Sequence, residues 1–304
     1  MSSFINLSLI LAFFITGYTA SRLVKVPPAI PRRINKAVIN FVFPAIILQN
    51  IPTLEFETEF LFLVTAPWMI VGLAALVLLL INRRLQWSKE TLCACLILAA
   101  VGNTGNLGYP MLKAFFTDQQ AAMGIVFDQL GSFIALCTYV TILVAVYSGQ
   151  ENLSATRILV RIFKFPPFIT LLIALIIPQT WITGPIEPLL KLLSYLIIPM
   201  TMLSTGMQFR FSGGAGIAQP LAWTLTIKML AAPLLIYFMG VQLNIPNEML
   251  DVATFQAAMP PMVAGVLLLS SQGLATRFSV SALGFGTLFA LAYLPLVAWI
   301  LTVV

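Results

Sequence analysis

One run of nine residues places polar side chains and helix-breaking residues inside an otherwise apolar segment. It covers positions 102–110, reads Gly-Asn-Thr-Gly-Asn-Leu-Gly-Tyr-Pro, and follows the apolar stretch from Thr91 to Val101. Glycine and proline interrupt helices, and irregular backbone at membrane depth is tolerated only where protein buries it or where it lines a watery cavity. We therefore predict the unwound centre of a broken membrane-spanning helix, with a binding site around it.

The candidate binding residues of this first break are uncharged groups that donate or accept hydrogen bonds. They can bind a polar substrate together with the free N–H and carbonyl groups at half-helix ends. The proline suits the first turn of the following half-helix, where a missing N–H costs nothing. The candidates are Asn103, Thr104, Gly105, Asn106, Gly108 and Pro110. Capping of helix ends is the alternative role of the two asparagines.

A second break occupies positions 259–265 and contains two adjacent prolines. Two broken helices that cross near the middle of a membrane bring four half-helix ends together. We expect the half-helices to end near Val101 and Ala258 and to resume near Pro110 and Val263. Its candidate substrate-binding residues are Gln256, Pro260 and Pro261. For the glutamine, a hydrogen bond between helices is the alternative.

Asp128 and Lys228 are the ionisable residues placed deepest in the predicted spans. Burying either charge alone costs about 2.5–3.5 kcal/mol on insertion scales. Their functional interpretation is a site that couples transport to a proton or another cation. The alternatives are a static ion pair, or a lysine that reaches into a water-filled cavity.

Composition indicates a multi-span α-helical membrane protein, because 60% of the 304 residues are hydrophobic and only 9% are charged. Too few charges are present to cover the surface of a soluble protein of this size. The alternating segments of about ten residues that are typical of membrane β-barrels are absent.

The same composition excludes several kinds of chemistry. No histidine is present, which excludes imidazole metal sites, histidine proton relays and histidine-based triads. The net charge of +6 comes from basic residues in short loops between spans, a topology signal and not a nucleic-acid footprint. Cys93, Cys95 and Cys137 lie in apolar spans and are interpreted as core residues.

Apolar segments predict ten membrane-spanning helices. They are Phe4–Ser21, Ile34–Ile51, Phe60–Ile81, the segment with the first break, Gln119–Tyr147, Phe165–Ile177, Pro185–Phe209, Ile217–Val241, the segment from Asn247 through the second break, and Phe278–Val304.

Proline and glycine positions indicate that these spans form two repeats. Pro199 lies 155 residues after Pro44, and Pro260 lies 155 residues after Gly105, which puts two kinked and two broken spans in equivalent positions. Because the two halves share negligible sequence identity, chance spacing is the alternative. Because five spans is an odd number, the second repeat must be inverted in the membrane. We predict two inverted five-helix repeats, residues 1–150 and 151–304, with helix kinks at both Pro44 and Pro199.

The distribution of charge predicts orientation. Loops on one face carry 13 of the 16 Lys and Arg residues, which makes that face cytoplasmic by the positive-inside rule. Both termini are therefore predicted to lie outside the cytoplasm of a cell or plasma membrane.

The run at positions 102–110 resembles the first helix crossover of the auxin efflux carrier family, which includes plant PIN-type carriers and bacterial malate permease-like proteins. The second break, read as Ala-Ala-Met-Pro-Pro-Met-Val-Ala at positions 257–264, and the prolines at 44 and 199 are similar too. The resemblance covers the whole chain, and the first crossover is its specific motif.

The resemblance implies the ten-span fold of bile acid:sodium symporters. Spans 1, 2, 6 and 7 would form a scaffold, and spans 3–5 and 8–10 a transport domain that moves as an elevator. Asn103 and Asn106 would contact a substrate carboxylate opposite Pro260 and Pro261, and a homodimer is expected at family level. The chain lacks the long hydrophilic loop and the acidic residue in span 3 of the plant carriers, so the resemblance does not extend to auxin as substrate.

These observations predict a secondary carrier of a small organic anion in a lipid bilayer, without a resident cofactor and with proton or sodium coupling as possibilities. The absence of the G-x-x-x-x-G-K-[ST] motif argues against an ATP-driven pump. A sodium-coupled symporter of the bile-acid type is the closest alternative. A channel and an intramembrane enzyme are weaker ones, because neither a charge ring nor a set of catalytic residues is visible.

Overall fold

The computed structural model describes residues 2–24, 26–27, 29–149, 154–184, 186–210 and 216–303. Across these ranges the regular structure is helical, apart from one isolated antiparallel bridge between Gly102 and Pro261. The predicted repeat boundary at residues 150 and 151, the predicted start of span 7 at Pro185 and the predicted end of span 10 at Val304 lie outside the described residues.

The α-helices follow one another with short connections. In chain order they are α1 (Ser2–Leu23), α2 (Ala29–Ala37), α3 (Phe43–Asn50), α4 (Phe60–Leu85), α5 (Lys89–Ala100), α6 (Tyr109–Phe115), α7 (Asp118–Val126), α8 (Phe133–Ala135), α9 (Thr141–Ser148), α10 (Ala155–Phe163), α11 (Pro166–Ala174), α12 (Glu187–Tyr195), α13 (Ile197–Gln208), α14 (Ala218–Thr226), α15 (Ala232–Gln242), α16 (Asn247–Ala257), α17 (Val263–Ser271) and α18 (Thr276–Val303).

Several of these helices are joined by wide π-helical turns, which add a residue per turn and often occur at functional sites. Within the described residues they are Val38–Val42, Thr104–Gly108, Phe127–Ser132, Leu136–Val140 and Ile227–Ala231. Tight 3₁₀ turns occur at Ile51–Thr53 and Gln179–Trp181. The two deep charges predicted from the sequence, Asp128 and Lys228, each lie in a wide turn.

Six continuous stretches of described helix are long and apolar enough to cross a membrane. They are Ala29–Thr53, Phe60–Leu85, Asp118–Ser148, Glu187–Gln208, Ala218–Gln242 and Thr276–Thr302. These stretches confirm the prediction of an α-helical multi-pass membrane protein and correspond to predicted spans 2, 3, 5, 7, 8 and 10. Predicted spans 1, 4, 6 and 9 are not among these six stretches, so the full count of ten stays a prediction. Breaks divide spans 4 and 9 into short helices, and the α-helix in span 6 has only nine residues.

Both kink prolines directly follow an interruption of their helix. Pro44 is the second residue of α3, after the wide turn Val38–Val42, and Pro199 is the third residue of α13, which is separated from α12 by Leu196. Proline has no N–H to bond the carbonyl group four residues earlier, and the helix loosens at that point.

The chain divides into two compact units. The first unit comprises Met1–Glu57, Gly105–Ile125 and Ile162–Phe209. The second unit comprises Thr58–Thr104, Val126–Arg161 and Arg210–Val304. Packing in the first unit is centred on α1 against α13, and in the second unit α15 packs on α16 while α4 packs on α5.

Candidate binding site at two helix breaks

The extended linkers of the two breaks pair with each other inside the second unit. The peptide N–H of Asn103 donates to the carbonyl oxygen of Pro260 at 2.8 Å, and the N–H of Met262 donates to that of Val101 at 3.2 Å. Gly102 and Pro261 face each other between these bonds, a position that needs no N–H group from Pro261. The pairing gives hydrogen-bond partners to backbone groups that two broken helices would otherwise leave without any at membrane depth.

The irregular part of the first break is shorter than the sequence indicates. Helix α5 ends at Ala100, and helical backbone resumes as a wide turn at Thr104, six residues before Pro110. The α-helix after the break, α6, starts at Tyr109 with Pro110 in its first turn, as expected, but the wide turn precedes it. Extending helix into the glycine-rich segment bonds backbone groups that would be costly to leave free at membrane depth. The second break agrees with expectation, since α16 ends at Ala257 and α17 begins at Val263.

Asn103 has an unusual environment for a polar side chain. Its side chain is completely buried, and within the described structure neither its Oδ1 nor its Nδ2 atom has a hydrogen-bond partner. A buried polar group without a partner costs about 1–3 kcal/mol, and most such groups in folded proteins are satisfied. An amide left in this state has both a donor and an acceptor ready for a bound molecule.

The buried carboxylate of Asp128 is tied to the first break. It accepts hydrogen bonds from the hydroxyl group of Thr104 and from Nε2 of Gln129, the latter at 2.6 Å. The carbonyl oxygen of Thr104 in turn accepts from Nε2 of Gln256 at 3.3 Å. A continuous set of polar groups thus runs from Asp128 through the first break to the end of α16.

Lys228 reaches the same region from the other side. Its side chain is 1% exposed, and Nζ donates to the carbonyl oxygen of Ala257, the last residue of α16, at 2.6 Å. Gly102 permits this approach, because a Cβ atom there would lie 3.0 Å from Cε and 3.1 Å from Nζ of Lys228. Asp128 and Lys228 have different partners, and the described structure contains no ion pair between them.

The second unit therefore brings together Asn103, Thr104, Asp128, Lys228, Gln256, Pro260 and Pro261 of the residues predicted from the sequence. The other four predicted binding residues, Gly105, Asn106, Gly108 and Pro110, belong to the first unit. Asn106 is partly exposed in the wide turn Thr104–Gly108, and Pro110 is buried.

Comparison with known proteins gives the site its context. The sequence model of a family described as membrane transport protein matches residues 3–298, nearly the whole chain. The chain belongs to this membrane transport protein family. It is the family of the auxin efflux carriers, so the resemblance noted from the first break is confirmed.

Two archaeal relatives agree with this membership. An uncharacterized transporter of Methanothermobacter thermautotrophicus is 25% identical over 266 residues, 86% of each chain. An uncharacterized transporter of Methanocaldococcus jannaschii is 26% identical over 286 residues, 88% of this chain and 89% of the relative. The membrane transport protein family and these relatives make the chain a membrane transporter and not an enzyme.

Two further residues of this transporter contribute to the site and were not singled out from the sequence. Gln129 binds the Asp128 carboxylate, and its only sequence signal is that it adjoins that residue. Gly286 lets α18 approach the second break, since a Cβ atom there would lie 2.8 Å from Pro261 Cδ and 3.3 Å from Pro260 Cβ. The sequence signal for Gly286 is the run of small residues around it in α18.

Proposed function

We propose that this transporter is a secondary carrier of a small organic anion, a carboxylate, which binds at the paired breaks of the second unit. The observation that carries the proposal is the buried amide of Asn103, neither polar atom of which has a partner among the described residues. A carboxylate would accept a hydrogen bond from its Nδ2 atom. The free N–H groups at the start of α17 and the amino group of Lys228 provide further positive character.

The proposal includes elevator-type alternating access between inverted repeats. Such a mechanism requires one body that holds the whole site. The compactness of the second unit supports this part of the proposal, since the paired linkers, Asn103, Asp128 and Lys228 all belong to it. The interruptions before Pro44 and Pro199, and the breaks near Gly102 and Pro261, support a repeated architecture.

The experiment that tests the function is thermal unfolding of the purified protein with a panel of carboxylates, with and without sodium. A ligand that binds only the folded state raises the midpoint by mass action. We expect one carboxylate to raise it in the absence of sodium, in a saturable manner. A rise that needs sodium would favour a symporter of the bile-acid type, and no rise with any carboxylate would contradict the proposed substrate class.

We further propose that the carboxylate of Asp128 carries a coupled proton. Replacing it with asparagine keeps the shape and the acceptor for Thr104 but removes the group that gains and loses the proton. Carboxylate uptake by proteoliposomes that contain the Asp128→Asn variant should therefore lose the pH dependence seen with the wild type. The matched control is Asp118→Asn, because Asp118 is an exposed partner of Lys113. A wild-type pH profile in Asp128→Asn would refute this coupling role.

A further inference from the structure

Lys228 occupies an unusual position for a buried basic residue. It lies in the wide turn Ile227–Ala231, and its side chain extends to the carbonyl end of α16, where Nζ is 2.6 Å from the oxygen of Ala257. The end of the Lys228 side chain also lies next to Gly102, where a Cβ atom would be 3.1 Å from Nζ. The amino group thus lies at the C-terminal end of α16, with the first break beside it.

Helix C-termini attract cations for a simple reason. The last carbonyl groups of a helix lack intrahelical partners and carry a partial negative charge, which a positive group stabilises. In broken-helix transporters such ends bind small monovalent cations. The oxygen of Ala257 is one such carbonyl acceptor, and Lys228 already supplies its cation.

We infer that Lys228 is a built-in cation, whose ammonium group fills a latent monovalent cation site at the carbonyl end of α16, next to the first break. The inference rests on the proposed function only in one respect, namely that this charge balances an anionic substrate bound beside Asn103. It follows that the wild type needs no added sodium for binding. A chain without this side chain should accept a small free cation in its place.

The size of the side chain permits a direct test by chemical rescue. Lys228→Ala removes Cγ, Cδ, Cε and Nζ, and n-propylammonium has the same four heavy atoms. We expect Lys228→Ala to unfold at a lower temperature than the wild type in choline chloride. Propylammonium or sodium chloride at the same ionic strength should raise its midpoint by a few degrees, in a saturable manner, and should leave the wild-type midpoint at its choline value.

The control is Lys191→Ala, which removes an exposed lysine paired with Glu187 at 2.8 Å. It should respond alike to all three salts, because exposed ion pairs contribute little. Equal midpoints of Lys228→Ala in choline, propylammonium and sodium would overturn the inference and leave Lys228 as a fixed helix cap. The measurement uses no carboxylate, so its result stands even if the proposed substrate class is wrong.

A second variant covers the case in which Lys228→Ala fails to fold. Lys228→Gln keeps most of the volume and a donor for Ala257 but carries no charge. The carboxylate that raises the wild-type midpoint should raise the midpoint of Lys228→Gln fully only when sodium is present. In choline chloride, the same rise should need at least a tenfold higher carboxylate concentration. A sodium-independent response equal to that of the wild type would contradict a role for the charge.

Discussion

Replacing Asn103 with alanine is expected to abolish most carboxylate binding while leaving the unliganded protein as stable as the wild type or slightly more stable. The Asn103 amide is buried and has no side-chain hydrogen bond to any described residue, so its removal breaks none of those bonds. The bond to a bound carboxylate would be lost, together with about 1–3 kcal/mol. That loss corresponds to binding about fivefold to 150-fold weaker.

The sign of the stability change separates a binding residue from a structural one. If Asn103 instead capped a helix, replacing it with alanine would lower the free energy of unfolding by about 1 kcal/mol. Thermal unfolding without ligand and with increasing carboxylate measures both quantities on one sample. Asn40→Ala is the matched control, because Asn40 is partly exposed and donates to the carbonyl group of Lys36 at 2.6 Å. A destabilised Asn103→Ala protein with a full ligand response would show that Asn103 is structural.

The two breaks are predictable from the sequence because their cause is local. Glycine and proline limit the backbone wherever they occur, so residue types alone indicate interruptions at positions 102–110 and 259–265. The pairing of Val101 and Asn103 with Met262 and Pro260 is different, since it joins residues more than 150 positions apart. Only the folded chain shows that the linkers satisfy each other, and that the first one is short.

For the two buried charged residues, too, their presence is predictable from the sequence but their partners are not. Asp128 and Lys228 are conspicuous in the sequence because few ionisable residues lie within spans. Their partners are not predictable, because Thr104 and Ala257 lie on other segments of the chain. The wide turns that contain both charges are also hard to predict, since the residues on either side of each turn have ordinary α-helical backbone angles.

The number of spans shows where reasoning from length fails. The predicted broken span 9 would consist of two short helices, α16 with 11 residues and α17 with 9. Neither meets a length criterion for crossing a membrane, although the hydrophobic sequence is continuous around the break. Continuous spans such as α4, with 26 residues, are recognised equally well by sequence and by structure.

The largest loss of stability is expected at the glycines where α1 packs on α13 in the first unit. A Cβ atom on Gly206 would lie 2.9 Å from the peptide nitrogen of Tyr18 and closer still to the carbonyl oxygen of Phe14. A Cβ atom on Gly17 would meet the backbone of Leu203 in the same way. Because these atoms are backbone, they cannot rotate away, and the helices must separate. Small residues at such crossings are what allow membrane helices to pack closely.

Gly206→Ala and Gly17→Ala are each expected to lower the free energy of unfolding by about 1–3 kcal/mol or more, through overpacking. The double variant should cost less than the sum, because the first alanine already separates the helices. Gly72→Ala is the control, since nothing lies within 4 Å of a Cβ atom there and alanine favours helix over glycine. Thermal unfolding in detergent should show Gly72→Ala unchanged or more stable. Equal midpoints for Gly206→Ala and Gly72→Ala would refute the close backbone contact.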